Sequence, residues 1–201
     1  MGESRQAEPA HTWSSLRSLA VSWGEARGYT VNLAVRLAQA TRGQLAQCGL
    51  AEIRDWRDLG VSVERRALSS SGMLIRRDFP ISVWVNAKDD WRRQRFTEGH
   101  EIAHFLLPSR YHLSPVLLEH MCDAYAAELL LSVSRVRGLA SANDVLELAN
   151  EACINISPVL NQVARTAWDP GFGIILVSEE KGFLLGALAL TYPDRLAPYL
   201  A

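Results

Sequence analysis

The segment FTEGHEIAHFLLP, residues 96–108, places two histidines four residues apart, with a glutamate directly after the first. On a helix, residues four apart lie one turn from each other on the same face, so His100 and His104 can both point at one ion. Imidazole nitrogens bind zinc at about 2.0–2.1 Å, a distance that the two rings can satisfy together. The alternative is a buried helix whose histidines hydrogen-bond to backbone or carboxylate groups.

Glu101 is the third functional residue that this segment predicts. It follows His100 directly, so it is rotated away from the ligand pair but stays near the open side of the ion. That is the position of a general base for the attacking water in the H-E-x-x-H pattern. The segment therefore favours a metal-dependent hydrolase over a structural helix.

A third ligand is needed, because hydrolytic zinc sites use three protein ligands and leave the fourth position to water. The segment EHMCD, residues 119–123, supplies Glu119 as the candidate ligand. Asp123 lies one turn further on and can accept the spare N–H of a ligating histidine, which fixes the orientation of the ring. Acidic residues on helices are usually only solvated, but these two interrupt an apolar helix, where a carboxylate needs a partner.

The remaining pattern predicts an α+β fold, with helices, short strands and a terminal hairpin around this segment. Apolar spacing and turn residues predict the following elements: helices at 13–27 and 32–47 separated by Gly28, strands at 61–65, 72–77 and 81–86, a helix capped by Asp89 or Asp90 and ending near Leu107, a helix at 115–131, two short helices within 141–167, and a β-hairpin after residue 171. We expect a disordered tail at 1–12, a catalytic domain at 13–135, and a helical segment with the hairpin packed on it at 136–201.

Composition excludes several classes of protein. The chain has 201 residues, 48% of them hydrophobic, and 21 basic against 22 acidic side chains for a net charge of −1. That balance gives no general attraction to nucleic acid or to an anionic membrane. There is no signal-peptide pattern and no apolar run of about 18 residues. The odd, widely spaced cysteines, Cys48, Cys122 and Cys153, indicate reduced thiols, so we expect a cytoplasmic protein.

The segments RQRFTEGHEIAH (93–104) and EHMCDAYAAELLL (119–131) resemble the ImmA/IrrE family of metallopeptidases, whose pattern is approximately RFTxAHExGH followed by ExxANxFAxxLLMP. The resemblance implies a zincin-like fold with His100, His104 and Glu119 as zinc ligands and Glu101 as the catalytic residue. Asp123 takes the place of the usual asparagine. The specific similarity covers about residues 60–131. Manganese is the other ion that suits two imidazoles and one carboxylate.

The resemblance further implies a zinc-dependent endopeptidase that cleaves a regulatory protein. Family members typically act on a helix-turn-helix repressor and so derepress stress-response or mobile-element genes. The chain departs from the pattern at several positions: Gly99 replaces alanine, Ala103 replaces glycine, Glu98 stands where an apolar residue is usual, and Cys122 stands where alanine is usual. None of these changes removes a ligand, but together they indicate a divergent member.

Two other functions stay open at the level of sequence. One is a metal-stabilised regulator that sequesters a repressor without cleaving it, since a closed metal site would keep the same ligands. The other is a DNA-binding regulator, because residues 146–167 have a helix-turn-helix rhythm. The second helix of that rhythm offers only Asn161, Gln162 and Arg165 to a groove, which favours a packing or protein-docking role.

Two features near the predicted site have no single assignment. The donor that stabilises the oxyanion can be Tyr111, His112 or His120 by proximity in sequence. Cys122, three residues after Glu119, can couple metal occupancy to redox state, although buried free thiols more commonly act as small apolar side chains.

Overall fold

The computed structural model describes residues 9–47, 56, 60–76, 80–107, 113–136 and 142–166. The predicted C-terminal hairpin and residues 1–8 of the predicted tail lie outside these ranges. The helices and strands of the described chain run in the following order: α1 Pro9–Arg27, α2 Val31–Gln47, β1 Val61–Arg66, β2 Gly72–Arg76, β3 Ile81–Asn86, α3 Trp91–Leu106, α4 Pro115–Leu130, α5 Val133–Val136, α6 Ala142–Glu151 and α7 Ile156–Thr166. The predicted α+β class is confirmed, with most of the structure helical.

Helix α1 begins at Pro9, four residues before the predicted start of the first helix at residue 13. Proline suits the first position of a helix, where its missing N–H has no intrahelical partner to lose. Thr12 and Trp13 are both buried, which ties this first part of α1 to the core. At the other end, Gly28 has a φ of +79°, and its N–H donates to Gly24 at 2.8 Å. The predicted break at Gly28 is confirmed.

The sheet has the order β1-β3-β2, with β1 parallel to β3 and β2 antiparallel to it. Along the central strand β3, alternate side chains face the core, so Ile81, Val83 and Val85 are fully buried. This alternation is what a strand with one buried face requires. Strand β2 lies at one edge of the described sheet, and its pairing with β3 shifts register between Leu74 and Arg76.

Helix α3, which carries the H-E-x-x-H pattern, begins at a well-defined cap. The Asp90 carboxylate accepts the backbone N–H of Arg92 at 2.9 Å and that of Arg93 at 3.1 Å. These bonds satisfy two of the donors that a helix leaves free at its start. At the far end, Leu107 is extended, with φ −84° and ψ 135°, as expected for a residue that precedes a proline in the sequence.

A buried network of polar side chains connects helix α4 to helix α2. The Thr41 hydroxyl donates to the Leu37 carbonyl at 2.9 Å and lies 3.0 Å from the Tyr125 hydroxyl. Glu128 is fully buried, and its carboxylate lies 2.7 Å from the Arg42 guanidinium. A buried carboxylate needs such a partner, since an unpaired charge there would be costly. The network therefore holds α4 in one position against α2.

The chain divides into two compact units, one up to Leu130 and one from Leu131 onward. In the second unit, the Gln162 amide donates to the Leu131 carbonyl at 2.9 Å, and Arg135 pairs with Glu151 at 2.7 Å. Two short helices, α6 and α7, lie where they were predicted, on either side of a turn that includes Cys153 at a φ of 56°. The predicted domain limits at 13–135 and 136–201 stay a prediction. No helix in the described ranges has the length and apolar character needed to cross a membrane.

Candidate metal centre

The candidate site lies where helices α3 and α4 cross. Along α3, Gly99 approaches Ala126, His100 contacts Asp123, and His104 reaches Glu119. The partners run in the opposite order on α4, so the two helices are antiparallel. A Cβ placed on Gly99 would lie 3.4 Å from the Ala126 Cβ, which shows how small residues bring the two helices close together. This close approach puts side chains of α3 within reach of those of α4.

The two histidines direct their Nε2 atoms at the same point. These nitrogens lie 3.1 Å apart, and both side chains are largely buried, at 15% and 16% exposed. Two nitrogens on one tetrahedral zinc, each at about 2.0–2.1 Å from it, are roughly 3.3 Å apart. The observed separation therefore suits two ligands of a single ion.

Glu119 brings a third donor to this point from α4. One of its carboxylate oxygens lies 3.2 Å from His100 Nε2, and the other lies 3.4 Å from His104 Nε2. The carboxylate is 56% exposed, so it closes the pair from the solvent side. The three donors are thus separated by distances typical of ligands that share one ion. Their role as metal ligands stays a prediction.

Asp123 holds the His100 ring from the other side. Its carboxylate lies 2.8 Å from His100 Nδ1, so the imidazole donates from Nδ1 and keeps the lone pair of Nε2 for an ion. Burial acts to lower the pKa of His100, but the bond and charge of Asp123, together with Glu101 and Glu119, raise that pKa overall. The site is therefore electronegative and attracts either a proton or a metal cation.

Glu101 lies beside the donors but is not one of them. Its side chain is buried, and burial raises its pKa, with the charge of Glu119 acting in the same direction. His100 and the backbone N–H of Leu74, which the carboxylate accepts, act to lower that pKa. A carboxylate with a raised pKa holds a proton more readily than an ordinary glutamate, which suits a group that accepts and returns a proton during catalysis.

The edge strand β2 lies directly against Glu101, because the first residue of this strand is the glycine Gly72. A Cβ placed on Gly72 would lie 2.3 Å from Thr97 Cγ2 and 3.1 Å from Glu101 Oε1. The first distance is far below van der Waals contact, so a larger residue would force the strand away from α3. The absence of a side chain at Gly72 thus brings the N–H of Leu74 within reach of the Glu101 carboxylate.

Cys122 adds a donor that the sequence motif does not include. Its sulfur and the donor nitrogens of His100 and His104 all lie within 4.8 Å of one another, and Cys122 is completely buried. Burial raises the pKa of this thiol strongly, and the charges of Glu119, Glu101 and Asp123 raise it further. The two histidines therefore have an oxygen donor on the exposed side and a sulfur donor on the buried side. In the sequence, the position of Cys122 three residues after Glu119 was the sign that its thiol lies near the site.

Glu98, the charged residue at a usually apolar position, has a local explanation. Its carboxylate accepts the indole N–H of Trp56 at 2.9 Å and lies 3.7 Å from the Arg65 guanidinium. These partners compensate the cost of burying the Glu98 carboxylate. The departure from the motif therefore does not alter the predicted ligands.

Of the predicted oxyanion donors, His120 is exposed on α4, while Tyr111 and His112 lie outside the described residues. No described residue is thus assigned to this role.

Neither the models of known protein families nor the curated protein sequences match this chain. The resemblance to ImmA/IrrE metallopeptidases therefore rests on the residues of the two motifs, 93–104 and 119–131.

Proposed function

We propose that this chain is a metal-dependent endopeptidase with a zincin-like active site of the ImmA/IrrE type. One observation carries the proposal. The Nε2 atoms of His100 and His104 and the carboxylate of Glu119 converge within 3.1–3.4 Å of one another, with the buried Glu101 beside them. Two imidazoles and one carboxylate form the ligand set of a hydrolytic zinc site.

The chemistry follows from the position of each side chain. A divalent metal, when bound, polarises the scissile carbonyl and makes water a stronger nucleophile near neutral pH. His100, His104 and Glu119 would hold it, and Asp123 keeps the His100 ring in the orientation that binding needs. Glu101 accepts the proton of the attacking water and returns it to the leaving amine.

The proposed substrate is a regulatory protein, specifically a helix-turn-helix transcriptional repressor whose cleavage derepresses stress-response or mobile-element genes. The resemblance of the motifs supports this assignment. The net charge of −1 supports a protein substrate over nucleic acid, because binding to DNA depends on basic surface. We also propose a cytoplasmic location, in keeping with the free thiols of Cys122 and Cys153.

Cys122 favours one second candidate function. A fourth donor beside the histidines is what a closed, structural metal site would have, because such sites fill all four positions with protein ligands. In that case the protein would bind the repressor and sequester it without cleaving it. Both functions predict a complex with the repressor, but only the peptidase would cleave the repressor.

A cleavage assay separates the two functions. The purified, metal-loaded protein is incubated with a helix-turn-helix repressor encoded beside it, with and without chelator, and the products are followed by mass spectrometry. Peptidase function predicts cleavage that chelator abolishes and that is also abolished by Glu101→Gln. That variant should still contain metal, since Glu101 is not a ligand. Complex formation without cleavage, or full activity of the variant, contradicts the proposal.

A further inference from the structure

The donors around His100 and His104 lie on two sides that differ in solvent exposure. Glu119 and Asp123 are about half exposed, at 56% and 50%, and they approach from solvent. Cys122 is fully buried and approaches from the interior of the α3–α4 pair. Its sulfur and a ring nitrogen of each histidine lie within 4.8 Å of one another, so the three side chains could hold one metal ion.

We propose that Cys122 is a thiolate ligand of the divalent ion held by His100 and His104, an inference that rests on the proposed metal site. On binding, the S–H bond breaks, its proton leaves to solvent, and a sulfur–metal bond forms; no electron is transferred. The ion replaces the proton, which explains how a thiol surrounded by carboxylates can become a thiolate. In this role Cys122 binds the ion, whereas an inert buried thiol would only pack against its neighbours.

The thiolate changes which ions the site prefers. Soft sulfur ligands favour zinc, whereas manganese prefers oxygen donors. A site made only of two imidazoles and a carboxylate would accept either ion. With Cys122 included, we expect zinc and cobalt to bind far more tightly than manganese.

The thiolate also changes the number of protein ligands. With His100, His104, Cys122 and Glu119 all bound, a tetrahedral ion has no position left for water. Glu119 is the exposed member of this set, so it is the ligand that can leave without disturbing the core. The resting enzyme would then be closed, and water would reach the ion only after Glu119 moves away.

The direct test is X-ray absorption at the zinc edge of the metal-loaded wild-type protein. The proposal predicts one sulfur at about 2.3 Å in addition to nitrogen or oxygen ligands at about 2.0–2.1 Å. Cobalt substitution provides a second readout, because a cobalt–thiolate bond gives a charge-transfer band in the near ultraviolet. Both signals should disappear in Cys122→Ala. They should persist in Cys153→Ala, which removes the thiol of the turn between α6 and α7.

The affinities supply a third readout. We expect Cys122→Ala to weaken zinc binding by at least about tenfold, the size of effect seen when groups around a metal are removed. Manganese binding should change much less, and metal-free Cys122→Ala should release fewer protons than wild type when zinc binds. The control Cys153→Ala should match wild type in each measurement.

The outcomes distinguish this inference from the proposed function. A zinc spectrum of wild-type protein with only nitrogen and oxygen ligands overturns the role of Cys122 and leaves the peptidase proposal intact. Failure of the wild-type protein to bind any divalent metal overturns both. The wild-type spectrum decides the matter even if Cys122→Ala does not fold.

Discussion

The carboxylate of Asp123 offers the sharpest test of how the site is built. It lies 2.8 Å from His100 Nδ1, while the ion would bind on the opposite nitrogen of the same ring. Changing Asp123 to alanine removes the acceptor that fixes the ring. Changing it to asparagine keeps an acceptor oxygen and removes only the charge. The two variants therefore separate orientation of the ring from electrostatic attraction.

The structure sets the expected sizes of these two effects. Loss of a group that orients a metal-binding histidine typically weakens metal affinity by 10–100-fold, or about 1.4–2.7 kcal/mol. We expect Asp123→Ala to fall in this range. The Asp123 side chain is 50% exposed, so water and salt screen its charge. Asp123→Asn should therefore lose no more than about tenfold, at the lower end of the range.

The assay is a zinc competition titration with a chromogenic chelator, done at fixed ionic strength on wild type and both variants. Glu147→Gln is the control, because it removes an exposed carboxylate of α6 in the other compact unit. Its affinity should equal that of wild type. Wild-type affinity in Asp123→Ala would refute the argument that this bond orients the ring. An equal loss in the two variants would refute the division between orientation and charge.

Three further predictions concern the helix crossing, the edge strand and the pH dependence. Gly99→Ala should raise the free energy of unfolding, measured in urea, by up to about 1 kcal/mol, because alanine favours the helix more than glycine does. The added methyl would lie 3.4 Å from the Ala126 Cβ, which is an ordinary contact. A lower free energy of unfolding would contradict this prediction and mean that α3 and α4 cross too closely for the methyl. Gly72→Ala should reduce cleavage without changing metal content, since the added methyl displaces the strand next to Glu101; unchanged turnover would contradict this. In the metal-free protein, the raised pKa of His100 means that its charged ring stabilises the fold fully below the usual value of about 6.5, and that this contribution is lost as pH rises through the raised pKa. Thermal unfolding of the protein after removal of metal by chelator should therefore show lower stability as pH rises through the raised pKa of His100. Higher stability in that pH range would contradict the predicted direction.

The histidine pair and its partners could be predicted from sequence because helix geometry is local. Residues four apart on α3 and four apart on α4 necessarily share a face, so two motifs are enough to bring their side chains to one crossing. The caps at Asp90 and Gly28 were predictable for the same reason, since each depends on a few neighbouring residues. The parallel pairing of β1 with β3 is a different matter. It depends on contacts between distant segments, and the spacing of apolar residues carries no information about strand order.

The surroundings of the site also depend on distant segments. The indole of Trp56 and the guanidinium of Arg65 compensate Glu98, yet neither residue lies in its motif. Short α5 was missed because four residues are too few to show a helical period. The complete burial of Cys122 could not be predicted from the sequence either. Its place on α4 was known, but whether its sulfur meets the histidines depends on how closely α3 and α4 approach.

The position of Cys122 links the ligand set to the question of activity. Hydrolysis needs a position on the ion that water can occupy, and the three donors of the sequence motif leave one. The buried sulfur would fill that position, because it lies within 4.8 Å of a ring nitrogen of each imidazole. Glu119, whose side chain is 56% exposed, is then the most exposed ligand of the four. If sulfur binds the ion, access of water depends on movement of the exposed Glu119 carboxylate.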